Sequence, residues 1–259
     1  AVIASGAYSL DTSYHHMFLA DNNTSPEIIF AIPFDGLRTQ TWGGTTFLVH
    51  ASVGGSMSAN NYGIDGGWWG LRLKAQADSF YAAGDRRSGY LYTTGQTVDV
   101  SAIGDFTKGI AAPKFQNVTS TGAPGSNKTF PDTDFPVFRL GDAYLIYVEA
   151  NLRGGGGSAA TALTYLNAIR QRAYGNTTAN FAALPVVDTL LAERGRELLW
   201  EAHRRTDLVR FGLFTGGTYL WQWKGGSHTG AATDAHLNIY PLPASELIAN
   251  PNLQQNPGY

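Results

Sequence analysis

Three glutamates in the last third of the chain have the residue type and spacing of catalytic carboxylates. Glu193, Glu197 and Glu201 recur every four residues, which places them on one face of a helix. Two carboxylates flanking a cleft would suit glycoside hydrolysis. The same face also carries Leu198 and Ala202, and a face with apolar residues packs inward. We therefore expect the carboxylates to form buried structural pairs with arginines, for which the sequence offers Arg194, Arg204 and Arg210 nearby.

Four aromatic residues stand in loops that are rich in Gly, Thr and Asn, namely Trp42, Tyr62, Trp68 and Trp69. Such loops give large rings few apolar neighbours. A sugar ring presents C–H groups on one face and hydroxyls at its rim, so an indole can cover the face while polar side chains bind the rim. The pattern predicts a sugar-binding surface, with a small core under long loops as the alternative. Trp221 and Trp223 are weaker candidates.

Metal and nucleophile chemistry find little support. His15 and His16 have no third ligand at a zinc-type spacing. The run Asp21, Asn22 and Asn23 could offer oxygen ligands to calcium, but it is equally typical of a turn, which we favour. The chain has no Cys, which excludes disulfides and thiolate nucleophiles. Residues 154–157 are four glycines between two predicted helices, which is not the position of a dinucleotide loop.

Composition excludes several further classes. With 15% charged and 43% hydrophobic residues, the chain is typical of a folded globular protein. The net charge is −2 and no basic face stands out, so we expect no nucleic-acid partner. A membrane-spanning helix needs about 18 consecutive apolar residues, and no apolar run in the sequence is close to that length. Residues 1–6 lack a basic leader, so we expect any export signal to have been removed or to lie outside this chain.

The chain changes character near residue 138. Residues 1–137 show little helical period, apart from a predicted helix at 71–83, and contain short β-like pieces such as 27–32. Three helices are predicted in residues 138–214. The first carries an apolar stripe through 140–150, the second begins after Ser158 and stops at Gly175, and the third runs from Asp188 to Phe211. Residues 215–259 contain many Pro and Asn near their end, which predicts an extended tail with turns.

The first two helices have the size of one tetratricopeptide hairpin. One such hairpin has an apolar face that it does not bury by itself, and about three repeats are needed for stability. The pattern therefore predicts that the hairpin packs on the irregular half, or on upstream helices that are absent from this chain.

Four segments, in this order, resemble the signature motifs of the SusD/RagB family. They are residues 138–150, 167–173 and 193–212, and the chain ending formed by 240–243 with 250–259. Two departures occur. Ala202 stands where the family usually has Gly, and Gly141 with Asp142 replaces the usual Ala-Glu. We expect both departures to affect helix packing more than ligand binding.

The resemblance implies a mainly α SusD-like fold, in which a tetratricopeptide-type hairpin packs with a large irregular, ligand-facing region. It implies a protein without catalytic activity that captures oligosaccharide at the extracellular face of the outer membrane. Longer family members carry a lipid anchor and deliver the glycan to a SusC-like, TonB-dependent porin. The aromatic pattern looks most like that of starch-type members. A tetratricopeptide scaffold that binds protein is the alternative function.

Overall fold

The computed structural model describes residues 1–259, apart from the side chain of Asp78. The chain divides into two compact units, Ala1–Ala202 and His203–Tyr259. Among the described residues, regular structure is mainly helical, with seven α-helices and four short strands. The predicted mainly α class is confirmed by these elements. The tetratricopeptide-type hairpin and the boundaries after residues 137 and 214 stay predictions.

The N-terminal part of the first unit is mostly irregular and contains only short strands and short helices. Two strands, β1 (Ile28–Ile32) and β4 (Phe135–Arg139), pair antiparallel, and β2 (Arg72–Leu73) pairs with β3 (Ile110–Ala111). Two short helices, α1 (Thr45–Ala51) and α2 (Ala75–Asp78), lie between them in sequence. The strand expected near residues 27–32 is thus confirmed as β1.

An aromatic core supports this irregular region. The Phe18 ring meets Tyr14 at 5.3 Å and Phe115 at 5.2 Å between centroids, and Phe115 stacks on Phe135. Phe18 and Ile64 are fully buried in the same cluster. Long loops with little regular structure are therefore fixed by edge-to-face aromatic packing and apolar burial.

The helices α3 (Leu140–Leu152) and α4 (Ala159–Tyr174) match the first two predicted helices closely. Ser158 caps α4 by accepting a hydrogen bond from the Thr161 backbone N–H at 3.3 Å. Gly175 ends α4 at φ 70°, a left-handed conformation that glycine adopts without steric penalty. With α5 (Val187–Glu197), these helices bury a second core that includes Leu145, Val148, Leu166, Ile169 and Leu190.

The third predicted helix is wrong as a single element. It is interrupted after α5 ends at Glu197, and α6 (Arg204–Arg210) begins the second unit. The connecting residues Trp200 and Ala202 have φ values of 64° and 65°, which no right-handed helix accommodates. Asp188 lies in the first turn of α5, and Val186 occupies the capping position that we assigned to Asp188.

Two other expected elements also differ. The helix predicted at 71–83 is reduced to the single turn of α2, because Arg72 and Leu73 pair with β3 and bury Leu73. A short isolated helix is marginal in water, so the strand pairing prevails. The expected extended tail contains α7 (Ala244–Ala249), which starts directly after Pro243, a residue that helices tolerate at their beginning.

The left-handed conformation at Ala202 leads to a stability prediction. A Cβ in this region costs about 1–2 kcal/mol, and glycine removes that penalty at some loss of chain entropy. We expect Ala202→Gly to raise the free energy of unfolding by about 0.5–1 kcal/mol in urea titrations. Ala150→Gly, on the exposed side of α3, is the matched control and should lower it by a similar amount. If Ala202→Gly instead lowers the free energy of unfolding, the left-handed conformation of Ala202 is not strained.

Candidate functional site

The three glutamates of the sequence motif are buried and fully engaged. Glu193, Glu197 and Glu201 are 1%, 0% and 3% exposed. The Arg87 guanidinium, itself fully buried, donates to Glu193 at 2.8 Å and to Glu197 at 2.9 Å. Its other N–H groups bind Asp85 at 2.9 and 2.7 Å. We call these groups, together with Glu27, Lys114, Arg139 and Arg172, the ion cluster.

Arg139, at the end of β4, is the centre of the ion cluster. It donates to Glu27 at 2.8 Å, to Glu197 at 2.7 Å and to Glu201 at 2.6 Å. Arg170 and Arg196 each pair with Glu193 at 2.7 Å, and two further cations contact the other carboxylates. Lys114 Nζ donates to Glu201 at 2.6 Å, and Arg172 of α4 pairs with Glu27 and Glu197. The ion cluster therefore joins the β1–β4 sheet to α4 and to the end of α5.

The electrostatics fix the charge state of these groups. Burial alone would raise the pKa of Glu197, but the Arg172, Arg139 and Arg87 guanidiniums outweigh it and hold that pKa well below its usual range. The same balance, led by Arg87 against burial, lowers the pKa of Glu193 to about 2. Burial lowers the pKa of Lys114 to about 8, opposed by the Glu201 carboxylate. A general acid for glycoside hydrolysis needs a raised pKa, so these carboxylates suit a structural role.

The expected pairing with buried arginines is confirmed, but the partners differ from those suggested by sequence proximity. Arg194 pairs with Asp142 at 3.0 Å, and Arg204 donates to the Tyr219 hydroxyl at 2.9 Å. Arg210 pairs with Asp207 at 2.7 Å. Arg196 pairs with Glu193 at 2.7 Å within α5, and the other cations that hold the glutamates come from distant parts of the chain.

Gly141 is required by the ion cluster. A Cβ at this position would lie 2.6 Å from Arg139 Nη1 and 2.7 Å from Glu27 Oε1. The Gly141 backbone N–H also donates to Glu27 at 3.2 Å. The departure at Gly141 therefore affects the polar centre of the first unit, in addition to the helix packing that we expected.

The structure brings together two of the four aromatic residues predicted to bind sugar. Trp42 and Trp68 are 64% and 40% exposed, and their ring centroids lie 6.1 Å apart. The ring of Trp42 also contacts Phe130, with 5.0 Å between the two ring centroids. Trp68 stacks on the buried His50 at 4.7 Å, with an interplanar angle of 21°. We call this exposed pair the tryptophan platform.

Elements that the sequence did not reveal support the tryptophan platform. His50 and Phe47 lie one turn apart on α1, and the Phe47 ring is 6.3 Å from Trp68. The His50 ring is fixed between the carbonyls of Gly66 at 2.6 Å and Thr129 at 2.9 Å. The His50 imidazole, on which Trp68 stacks, is thus fixed at both of its ring nitrogens. This support holds the Trp68 indole in place as a pre-organised flat surface.

The other two predicted residues lie elsewhere. Trp69, 56% exposed and at φ 60°, packs its ring 6.1 Å from Phe106. Tyr62 is half-buried and packs against the aromatic core. An exposed acceptor lies beside the platform, since Asp65 is 3.9 Å from His50 Nδ1 and its side chain is 51% exposed. A ligand role for Trp42, Tyr62, Trp68 and Trp69 stays a prediction.

The possible calcium ligands near residue 21 are used within the protein. Asp21 accepts from the Ser120 backbone N–H at 2.9 Å, and Asn22 donates to the carbonyls of Met17 and Asp134. Residues 22–24 form a single 3-10 turn, which is the reading that we favoured. Within the part of the chain that the structure describes, no group of three or more His, Asp or Glu could hold a metal ion.

Comparison with known proteins decides the family. The SusD family model matches residues 50–259. The chain belongs to the SusD family. The curated starch-binding protein SusD of Bacteroides thetaiotaomicron is 34% identical over 99% of this chain and 54% of its own length. The chain thus spans about half the length of this SusD relative.

Solved structures agree on the SusD fold. A surface glycan-binding protein A from Bacteroides fluxus superposes with a TM-score of 0.76 at 23% identity, covering 100% of this chain and 56% of that one. The corresponding protein from Bacteroides thetaiotaomicron, in complex with laminarihexaose, gives a TM-score of 0.71 at 20% identity over 98% of this chain and 57% of that one. None of the helices in the described residues is long and apolar enough to span a membrane.

Proposed function

We propose that this SusD family chain is a glycan-binding module without catalytic activity, and that the tryptophan platform is where the sugar stacks. The observation that carries the proposal is an exposed pair, Trp42 and Trp68, in which Trp68 stacks on the buried His50 and Trp42 packs against Phe130. Large aromatic faces left open to solvent and fixed from behind are suited to the C–H faces of sugar rings. Asp65 supplies a carboxylate to accept hydroxyl hydrogen bonds at the rim.

The relatives support the same function. One is named a starch-binding protein, and a structural neighbour was solved with laminarihexaose. Both names describe binding and not catalysis. The ion cluster adds a physical argument, because its buried, ion-paired glutamates supply no carboxyl group to a cleft. An α-glucan is the ligand that we propose first.

The wider role also belongs to this proposal. Membership of the SusD family supports a place at the extracellular face of the outer membrane, with a lipid anchor in the longer family members. It further supports transfer of the glycan to a SusC-like, TonB-dependent porin. The scaffold alternative, in which a tetratricopeptide-type surface binds protein, finds less support because the relatives are named for glycan or starch binding.

Calorimetric titration with malto-oligosaccharides and laminarihexaose tests the platform. We expect Trp42→Ala and Trp68→Ala each to weaken binding about tenfold or more, since stacking on an aromatic ring is worth about 1–3 kcal/mol. The melting temperature should hold, because both rings are substantially exposed and little core is lost.

Phe138→Ala is the matched control, since Phe138 is an aromatic residue of 56% exposure on β4. It should leave the affinity unchanged. The unmodified protein should release no reducing sugar from starch. If both tryptophan variants unfold the protein, the rings are core. If neither changes the affinity for any glycan, the platform is not the binding surface.

A further inference from the structure

A second aromatic pocket lies within the unit His203–Tyr259. It has a volume of about 360 Å³, inside the range of about 300–1,000 Å³ that is typical of small-molecule sites. Its aromatic walls are formed by Phe214, Trp221, Trp223, Tyr240 and Tyr259. The neutral glycan proposal above makes no use of this pocket.

The walls are ordered by mutual ring contacts. Trp221 stacks on Phe214, with centroids 5.9 Å apart and an interplanar angle of 29°, and meets Tyr219 at 6.1 Å. Tyr240 is 67% exposed. The pocket thus offers fixed aromatic faces together with an open ring at its margin, which suits a flat ligand with an apolar face.

Two cations line the same pocket. Lys224 is 2% exposed, donates to the Tyr219 carbonyl at 2.7 Å and places Nζ 4.5 Å from the Trp221 ring centroid. The Arg205 guanidinium lies 3.8 Å from the Tyr240 ring centroid and 4.8 Å from that of Phe214. Both positive charges therefore face aromatic rings, a favourable but incomplete compensation of their charge.

The anionic partner of these cations is missing from the pocket lining. None of the lining side chains is acidic. Arg205 uses Nη2 for the carbonyls of Leu237 at 2.9 Å and Asn238 at 3.4 Å, while Nε and Nη1 have no hydrogen-bond partner among the described residues. Nε and Nη1 do not share one edge of the guanidinium, so each can donate a single charge-assisted hydrogen bond to a carboxylate oxygen.

We infer that this pocket binds a sugar ring that carries a carboxylate, of the uronic acid class. The indole and phenol faces would cover the C–H face of the ring. Arg205 would donate one charge-assisted hydrogen bond to a carboxylate oxygen, from Nε or Nη1, and the buried Lys224 would add to the positive potential. This site is independent of the tryptophan platform in its residues and in the charge of its ligand.

The test uses the complete chain and two forms of one probe, a galacturonate trisaccharide and its methyl ester. The ester keeps the shape of the ligand and removes its charge. We expect the acid to bind at least about tenfold more tightly than the ester by calorimetry, a difference that charge-assisted hydrogen bonds supply. Raising the salt from 0.05 to 0.5 M should shrink this difference, because ions screen the attraction.

Arg205→Gln should remove the preference for acid over ester. Tyr240→Leu, which keeps both cations, should weaken acid and ester equally. Trp42→Ala should leave acid binding intact, so failure of the tryptophan platform and failure of this pocket are distinguishable. Three results would overturn the inference: no saturable binding of the acid, equal affinity for acid and ester, or tighter binding of a Glu-rich peptide than of the uronate. All three results are measured on the unmodified protein, so they do not depend on whether the variants fold.

Discussion

Replacing Arg139 by alanine should lower the free energy of unfolding by about 3–5 kcal/mol, a large part of the stability of a typical domain. Arg139 is 2% exposed and donates to three carboxylates, those of Glu27, Glu197 and Glu201. Its Nη2 also donates to the Glu197 carbonyl at 2.7 Å. Without it, buried negative charges face one another with fewer cations to compensate them.

Denaturant titration followed by circular dichroism measures this effect. Arg38→Ala is the matched control, because Arg38 also pairs with a carboxylate, that of Asp35 at 3.4 Å, but its side chain is 85% exposed. An exposed pair is worth about 0.2–1 kcal/mol, so this control should stay close to the parent protein. Arg139→Lys keeps the charge but loses the planar fork, and should fall between the two.

One outcome would reassign the ion cluster. If Arg139→Ala keeps the parent stability while glycan binding disappears, these groups belong to a ligand site and not to the packing of the first unit. Their burial argues against that result, since Glu197 and Arg87 are both 0% exposed.

The inward face of the glutamate helix could be predicted from sequence, because its period and its apolar neighbours are local properties. Apart from Arg196, which lies three residues from Glu193 on the same helix, the identity of the partners could not be predicted. Arg87 and Glu193 are separated by 106 residues, and Arg139 and Glu197 by 58. Only the tertiary fold brings these pairs together, so the spacing of residues along the chain does not predict them. The break after Glu197 does not follow from Ala202 itself, since alanine is not typical of the left-handed conformation that it adopts. The glycine that the family usually has at this position is the signal that points to the break.

The tryptophan platform shows the same limit. Glycine-flanked indoles were visible in the sequence as exposed rings, and Trp42 and Trp68 do come together. Their support on α1 was not visible, because a seven-residue helix that begins with two β-branched threonines has weak helical propensity. Trp69 and Tyr62 share the same local composition, yet their rings pack on Phe106 and on the aromatic core.

Acid should destabilise the protein steeply below about pH 4.5. The pKa of Glu193 is lowered from 4.5 to about 2 by Arg87, Arg196 and Arg170, against the opposing effect of burial. A carboxyl group with a depressed pKa in the fold binds protons more readily in the unfolded state, so its contribution is complete above pH 4.5. That contribution is lost as the pH falls toward 2, and for Glu193 alone it amounts to about 3 kcal/mol.

Glu197 and Glu201 add to this loss, because the pKa of each is lowered in the fold by the ion cluster. Urea titrations at pH 7, 5, 4 and 3 should therefore show nearly constant stability down to pH 5 and a fall of several kcal/mol below it. Glu193→Gln should be less stable at pH 7 and should lose less on acidification, because one titrating group is gone. Glu246→Gln, at an exposed position of α7, is the matched control and should keep the parent pH profile. A parent profile that stays flat from pH 5 to pH 3 would show that the glutamates are not held ionised by the ion cluster, and the structural role assigned to them would then be wrong.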